Sequence, residues 1–300
     1  MGKLRKKDLA RQFGTNVQNI PSISEYDFRY ESLSPSEQAN IVAKVLRRID
    51  SGTMSKTGSV SRWMRGWREA FEEYDRTGQL SALVPKYIRT RQALRLNGQF
   101  IMPVDAEMEL NWYQVFREWL FREYFEPFDH IFEFGCGTGF NLAILAQMYP
   151  DKQLYGTDWV QSSVDILHLM EVRCDWNIKG SLFDFFTPNY DIVIPPNSAV
   201  FTIGALEQTD TRYWSFIEYL LHMKPALCVH IEPIIEWYDE SNLVDYTGIR
   251  HLRERNYWSG FPAAMEKLES RGLVKIIKKK RTGFGSLFIE GYSMFIYSVI

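Results

Sequence analysis

Residues 131–139 read Ile-Phe-Glu-Phe-Gly-Cys-Gly-Thr-Gly, which places an apolar strand, an acidic residue and three alternate glycines in one short segment. Glycine at every second position lets the backbone turn sharply and leaves its N–H groups open to a ligand as the next helix begins. Gly135, Gly137 and Gly139 are spaced G-x-G-x-G, whereas the dinucleotide fingerprint G-x-G-x-x-G needs a small residue at 140, where this chain has Phe140. No Lys-Ser/Thr pair follows the glycines, so a phosphate-cradling P-loop is set aside too. The segment points to a bound cofactor that is neither a dinucleotide nor a nucleoside triphosphate, held largely by backbone.

The chain has 300 residues, long enough for one main domain with an extension. With 45% hydrophobic and 24% charged residues and a net charge of -2, it reads as globular, and bulk nucleic-acid binding is not expected. Aromatics at 15% exceed what a core needs and hint at an aromatic-lined pocket. Cys136, Cys174 and Cys228 form no C-x-x-C pair and are odd in number, which fits a reducing, cytoplasmic setting. The start is basic (Lys3, Arg5, Lys6, Lys7, Arg11), but no apolar segment follows it and no 18-residue apolar run occurs, so neither a signal peptide nor a membrane span is expected. That start is expected to be a solvated tail, and residues 278–281 the exposed end of a strand.

Residues 1–127 are expected to form a mainly helical extension or lid. Ser34-Pro35-Ser36-Glu37 opens a helix running through Arg48, a Gly/Ser/Thr/Lys cluster at 51–61 reads as a mobile loop, and further helices are expected over 63–74 and about 105–125. From 128 to 300 strand and helix alternate, the pattern of an α/β fold with a mostly parallel sheet. Seven strands are expected at 131–134, 153–157, about 178–182, about 198–203, 226–231, 274–280 and 292–299. Helices are expected at 140–148, 162–173, 211–223 and 261–271. The last two strands form an antiparallel hairpin, Gly272 caps the last helix, and 234–257 is an irregular aromatic insertion on the substrate side.

These residues resemble the class I S-adenosylmethionine-dependent methyltransferase family over about 130–300. Residues 133–139 look like its first motif, Asp158 ends the second strand, and Asp184-Phe185 follows the third. The resemblance implies a seven-stranded Rossmann-like sheet with an antiparallel last strand, and S-adenosyl-L-methionine as cofactor, leaving as S-adenosyl-L-homocysteine. It implies cofactor contacts from Glu133, Gly135, Cys136, Gly137, Thr138, Gly139, Asp158, Trp159, Asp184 and Phe185. Asp158 would accept from both ribose hydroxyls, with Trp159 beside the adenine. Asp184 would accept from the adenine amino group, and Glu133 would contact the loop or the ligand amino group.

Methyl transfer from a sulfonium is an in-line displacement, so the enzyme supplies alignment, exclusion of water and, for some acceptors, a base. His230 and Glu232 lie two apart at the end of the fifth strand and so share a face, and Glu207 follows the fourth strand. These three are the candidate catalytic residues. His130, His168, His222 and His251 have no partner that singles them out, and no metal is expected. The helical extension and the 234–257 insertion, with Trp237, Tyr238, Arg250, Arg253 and Arg255, are expected to close over the pocket from two sides and to suit a sugar, glycan-linked or natural-product acceptor. The alternatives are a protein or RNA methyltransferase, or a cofactor-binding pseudoenzyme or assembly partner. The sequence leaves homo-oligomerisation open.

Overall fold

The computed structural model describes residues 1–14, 17, 20–53 and 60–300. Of the expected loop at 51–61, residues 54–59 lie outside the described residues. The first part of the chain runs β1 (Gly2–Lys3), α1 (Lys6–Phe13), β2 (Arg29–Ser32), α2 (Pro35–Asp50), α3 (Val60–Thr77), β3 (Leu94–Leu96), β4 (Gln99–Pro103) and α4 (Met108–Tyr124). The α/β part follows as β5 (His130–Phe134), α5 (Phe140–Met148), β6 (Gln153–Asp158), α6 (Gln161–Cys174), β7 (Ile178–Leu182) and β8 (Ser198–Ile203). It continues through α7 (Trp214–Met223), β9 (Leu227–Glu232), α8 (Leu243–Arg255), α9 (Phe261–Ser270), β10 (Val274–Lys280), β11 (Phe284–Gly285) and β12 (Ser293–Val299).

Seven of these strands form one sheet in the order β10-β12-β9-β8-β5-β6-β7. β12 is antiparallel to both neighbours and inserts between β10 and β9, while the other pairs are parallel. Strands β8 and β9 are buried along their whole length, as expected for central strands covered on both faces. This is a seven-stranded Rossmann-like sheet of the expected form, with its closing strand turned antiparallel. β5, which leads into the glycines, sits in the middle, where the chain reverses its direction of travel across the sheet and ligands of open α/β sheets bind.

The first 127 residues add strands to the expected mainly helical extension. Besides their helices they build a second, antiparallel sheet in the order β1-β2-β4-β3-β11, whose last strand comes from the C-terminal hairpin connection. The strands are so short that they carry no sustained alternation, although Asn97 and Gly98, both at positive φ, make the turn between β3 and β4. The expected irregular insertion is also corrected. Residues 243–255 are helical, with Asn242 Oδ1 capping Val244 N at 2.9 Å and Asp245 N at 3.0 Å. The helix expected at 211–223 is a 3₁₀ stretch to Tyr213 and α-helical only from Trp214.

Both regions share one hydrophobic core. Phe13, Trp112, Phe116 and Leu120 pack in the same cluster as Ile131, Leu142, Phe201 and Met294. Trp112 stacks on Phe284 at 4.3 Å between ring centroids and on Phe116 at 5.1 Å, so much of the aromatic excess is core. The α2 start follows its sequence signal: Glu37 accepts from Ser34 N at 2.8 Å, and Ser34 Oγ accepts from Glu37 N at 3.4 Å.

Candidate active site

A cavity with about 860 Å³ of empty space, partly open to solvent, lies at the carboxyl ends of β5, β6, β7 and β8. The glycine loop forms its floor. Gly135 and Gly137 have φ of +73° and +55°, and a Cβ on Gly135 would lie 2.4 Å from that of Ala205. One on Gly137 would lie 3.0 Å from Trp67 Cζ2. Glycine is needed at both for conformation and for space. The loop is tied down by Gly135 N and Cys136 N, which donate to Thr157 O at 2.8 and 2.9 Å, and by Thr138 Oγ1, which donates to Leu83 O at 2.5 Å.

Of the ten residues expected to hold a cofactor, Glu133, Gly135, Cys136, Gly137, Thr138, Asp158, Trp159, Asp184 and Phe185 line this cavity. Gly139 does not. It precedes α5 and faces Leu167 and Met170, where a Cβ would come within 2.6 Å, so its smallness serves helix packing. Asp158 is buried at the end of β6, accepting from Gly137 N at 2.9 Å and Val160 N at 3.0 Å, which leaves further lone pairs toward the cavity. Burial raises its carboxyl to about 6, against the lowering pull of those N–H groups. Asp184 accepts from Phe186 N at 2.8 Å and Thr187 Oγ1 at 3.3 Å, folding its own turn. Cys136 is a buried filler whose thiol burial pushes well up, which removes any nucleophilic role.

Glu133 is buried on β5. Its Oε1 accepts from Asn141 Nδ2 at 2.6 Å, while Oε2 has no partner. Asn141 is held by Tyr113 OH and Arg117 Nη1, which donate to its Oδ1 at 2.7 and 3.2 Å. Burial pushes the Glu133 carboxyl up to about 8. A buried carboxyl with one orphan oxygen in a cavity wall is a place for a ligand donor, and a cationic donor would restore its charge.

The three candidate catalytic residues do not line the cavity. His230 is fully buried on β9, ringed by Phe216, Phe261 and Tyr297. Its Nδ1 lies 2.9 Å from Thr202 Oγ1, and its Nε2 lies 3.3 Å from Tyr297 OH. Thr202 spends its hydroxyl proton on Glu232 Oε1 at 2.7 Å, so His230 Nδ1 donates to Thr202 and Nε2 accepts from Tyr297. Burial holds the imidazole down at about 3, so it stays neutral and its expected role as a base gives way to a core one. Substituting His230→Asn should cost about 1–3 kcal/mol of stability in a urea titration and leave ligand affinity unchanged.

Glu232 is equally buried and anchors the turn after β8, accepting from Ala205 N at 3.1 Å, Leu206 N at 3.1 Å and Glu207 N at 3.3 Å. Burial, reinforced by Glu232, raises the Glu207 carboxyl well above the ordinary range, and its Oε2 lacks a partner. Glu232 therefore shapes the cavity from behind, through Gly204 and Ala205, which do line it.

The sequence reading missed the residues that roof the cavity by number: Trp63, Trp67, Pro85 and Tyr87, all from the first 127 residues. Trp63 and Trp67 stack at 5.2 Å on one face of α3, a spacing visible in the sequence as an i, i+4 aromatic pair. Tyr87 keeps 46% of its surface uncovered although protein surrounds it, because that surface faces the cavity. Burial, with Tyr113 and Glu207 nearby, keeps its phenol protonated. The expected second cover is not there. None of residues 234–257 lines the cavity; Arg250 pairs with Asp50 at 2.7 Å and Arg253 with Glu240 at 2.8 Å. α8 packs on α2, so its apolar face serves the extension. Among the described residues the charged side chains lining the cavity are Glu133, Asp158 and Asp184, with no Lys, Arg or His beside them. Among the described residues no helix is long and apolar enough to cross a membrane, and no group of three or more His, Cys, Asp or Glu is placed to hold a metal ion.

No family model and no curated protein matches the chain. Among solved structures it is similar to the methyltransferase domain of bacterial CtHen1, at 16% identity and a TM-score of 0.43 over 60% of this chain and 93% of that one. It is similar to NcsB1, an O-methyltransferase from neocarzinostatin biosynthesis solved with S-adenosylmethionine and 2-hydroxy-5-methyl naphthoic acid. There the identity is 13% and the TM-score 0.43, over 80% of this chain and 70% of that one. A SAM dependent methyltransferase from Aquifex aeolicus is similar at 15% identity and a TM-score of 0.41, over 61% and 89%. The fold rests on this chain's own strand order, and these likenesses assign no residue a role.

Proposed function

We propose that this protein is an S-adenosylmethionine-dependent methyltransferase acting on a small-molecule acceptor without a negative charge. The observation that carries this reading is the single cavity in which the glycine loop, Glu133, Asp158 and Asp184 converge at the ends of three adjacent parallel strands. The residues fit the cofactor: Asp158 has acceptor capacity for ribose hydroxyls, Phe185 and Trp159 offer aromatic surface for adenine, and the Glu133 Oε2 orphan suits an ammonium. Among the described residues the wall is acidic and largely aromatic and carries no cationic side chain, which favours a cationic ligand over a phosphate or carboxylate.

The cofactor would supply an electrophilic methyl group on a sulfonium. What this chain supplies is alignment and dryness. Trp63, Trp67 and Tyr87 roof the cavity and narrow its access to water, and Ile203, Gly204 and Gln208 bound the side toward β8. Tyr87, protonated at neutral pH, presents a hydroxyl to hydrogen-bond and orient the acceptor. Glu232 acts behind the wall, fixing the turn that carries Gly204 and Ala205, while His230 packs in the core beside Thr202. This departs from an acceptor held by arginines, since Arg250, Arg253 and Arg255 are outside the cavity.

Labelled-methyl transfer tests the function directly: small-molecule extract fractions should acquire label, and Trp67→Ala should lower kcat/KM by about 10-fold or more by opening the site to water. Label appearing only in protein or RNA fractions would contradict the small-molecule reading.

A pH effect follows from Glu133. A carboxyl raised above its unfolded value contributes stability that is complete below about pH 4 and lost as pH rises toward 8. An ammonium on Glu133 would pull the carboxyl down again. Binding of S-adenosylmethionine at pH 7 should therefore release roughly one proton, read by calorimetry in two buffers of different ionisation enthalpy. In Glu133→Gln the release should vanish; an unchanged release would show that Glu133 is not the contact.

A further inference from the structure

The two basic runs that stand far apart in the sequence, 3–11 and 278–281, meet in space. α1 is capped by Gly14, where a Cβ would lie 3.4 Å from Lys278 Nζ, and the start of the chain and the end of β10 wall a cleft, open to solvent, with about 1110 Å³ of empty space. This cleft shares no residue with the candidate active site. Lys3, Arg11 and Lys280 line it and form no ion pair among the described residues, whereas the neighbouring Arg281 is already held by Asp245 and Glu290, each at 2.6 Å.

Gln12 also lines the cleft and is only 5% exposed. Its Oε1 accepts from Trp112 Nε1 at 2.9 Å, but its Nε2 has no partner, a buried donor without an acceptor. The acidic residues of the lining are turned to other tasks. Asp8 accepts from Arg5 N at 3.0 Å, Asp245 holds Arg281, and Asp239 Oδ1 serves Ser241 N and Oγ, which leaves Oδ2 open. Near Asp239 stand Asn97, at the tip of the β3–β4 turn, and Asn242, whose Nδ2 comes within 3.0 Å of a Cβ on Gly98.

One set of groups is therefore cationic and unpaired, and another is made of carboxamides and an open carboxylate oxygen. The first set suits a phosphate and the second suits hydroxyls. We propose that this cleft binds a phosphorylated sugar, its phosphate on Lys3, Arg11 and Lys280 with the Gln12 amide, its hydroxyls on Asn97, Asn242 and Asp239. The site is separate from methyl transfer and holds whatever the activity of the main cavity proves to be.

Titration calorimetry with ribose 5-phosphate, ribose and inorganic phosphate tests it on the full chain. Ribose 5-phosphate should bind at least about 10-fold more tightly than inorganic phosphate, and ribose weakly. The double substitution Arg11→Ala with Lys280→Ala should weaken the sugar phosphate by about 10-fold or more, and Lys44→Ala, exposed on α2, should not change it. Asn97→Gly, which keeps the turn, should weaken ribose 5-phosphate and leave inorganic phosphate unchanged. Equal affinity for phosphate and sugar phosphate, no binding at millimolar ligand, or insensitivity to Arg11 and Lys280 would each overturn the proposal. Single-stranded RNA binding through these residues without sugar-phosphate binding would also overturn it, handing the cleft to a polyanion.

Discussion

Asp158→Ala is expected to weaken S-adenosylhomocysteine binding by about 100-fold or more, or ~2.7 kcal/mol, because two ribose hydroxyls lose one charged acceptor. Removing the side chain also frees Gly137 N and Val160 N, which its two oxygens hold at 2.9 and 3.0 Å. Part of the loss therefore comes through the glycine loop. Asp158→Asn separates the two effects: it keeps one acceptor oxygen and the shape but not the charge, and should cost about 10-fold. Because burial holds the Asp158 carboxyl up at about 6, wild-type affinity should fall as pH drops through 6, and that limb should be missing in Asp158→Asn. An alanine variant that binds as tightly as wild type would remove Asp158 from the cofactor site.

Glu232→Ala is expected to lower stability by about 3–5 kcal/mol in a urea titration, the range for leaving buried polar groups without their charged partner. Thr202 Oγ1 and the N–H groups of Ala205, Leu206 and Glu207 all converge on this carboxylate. Their loss would release the turn that lines the cavity, so ligand affinity should fall along with stability. Glu232→Gln retains one carbonyl oxygen and should cost about 1–2 kcal/mol with turnover largely preserved. Abolished turnover in Glu232→Gln at unchanged stability would instead place this carboxylate at the reacting atoms.

The α/β half was legible because each of its signals is local and strong. β5, β7, β8 and β10 fall within a residue of the expected bounds, and the apolar runs of β8 and β9 mark central parallel strands. The small sheet was not read, since strands of two to five residues carry no period, though Asn97-Gly98 was a hairpin signal within reach. The cavity floor was legible for the same local reason: Glu133 to Thr138, Asp158 and Asp184 sit at fixed offsets from strand ends. Its roof was not. Trp67 reaches the glycine loop, and Tyr87 the turn at Gly204, only through tertiary packing, and Asn141, which orients Glu133, has no distinguishing context in sequence. His230 and Glu232 were correctly placed on one face of a strand, but a period of two does not tell which face is core and which is cavity. Likewise, the arginines of α8 were grouped by composition, whereas ion pairs with Asp50 and Glu240 engage two of them on the surface.

Isothermal titration of the full chain with S-adenosylmethionine and S-adenosylhomocysteine tests most directly whether the cavity beneath Trp67 and Tyr87 holds the cofactor. One site per chain with micromolar affinity, weakened about 100-fold in Asp158→Ala, is the predicted result. No heat at high micromolar ligand, or binding indifferent to Asp158, would contradict it.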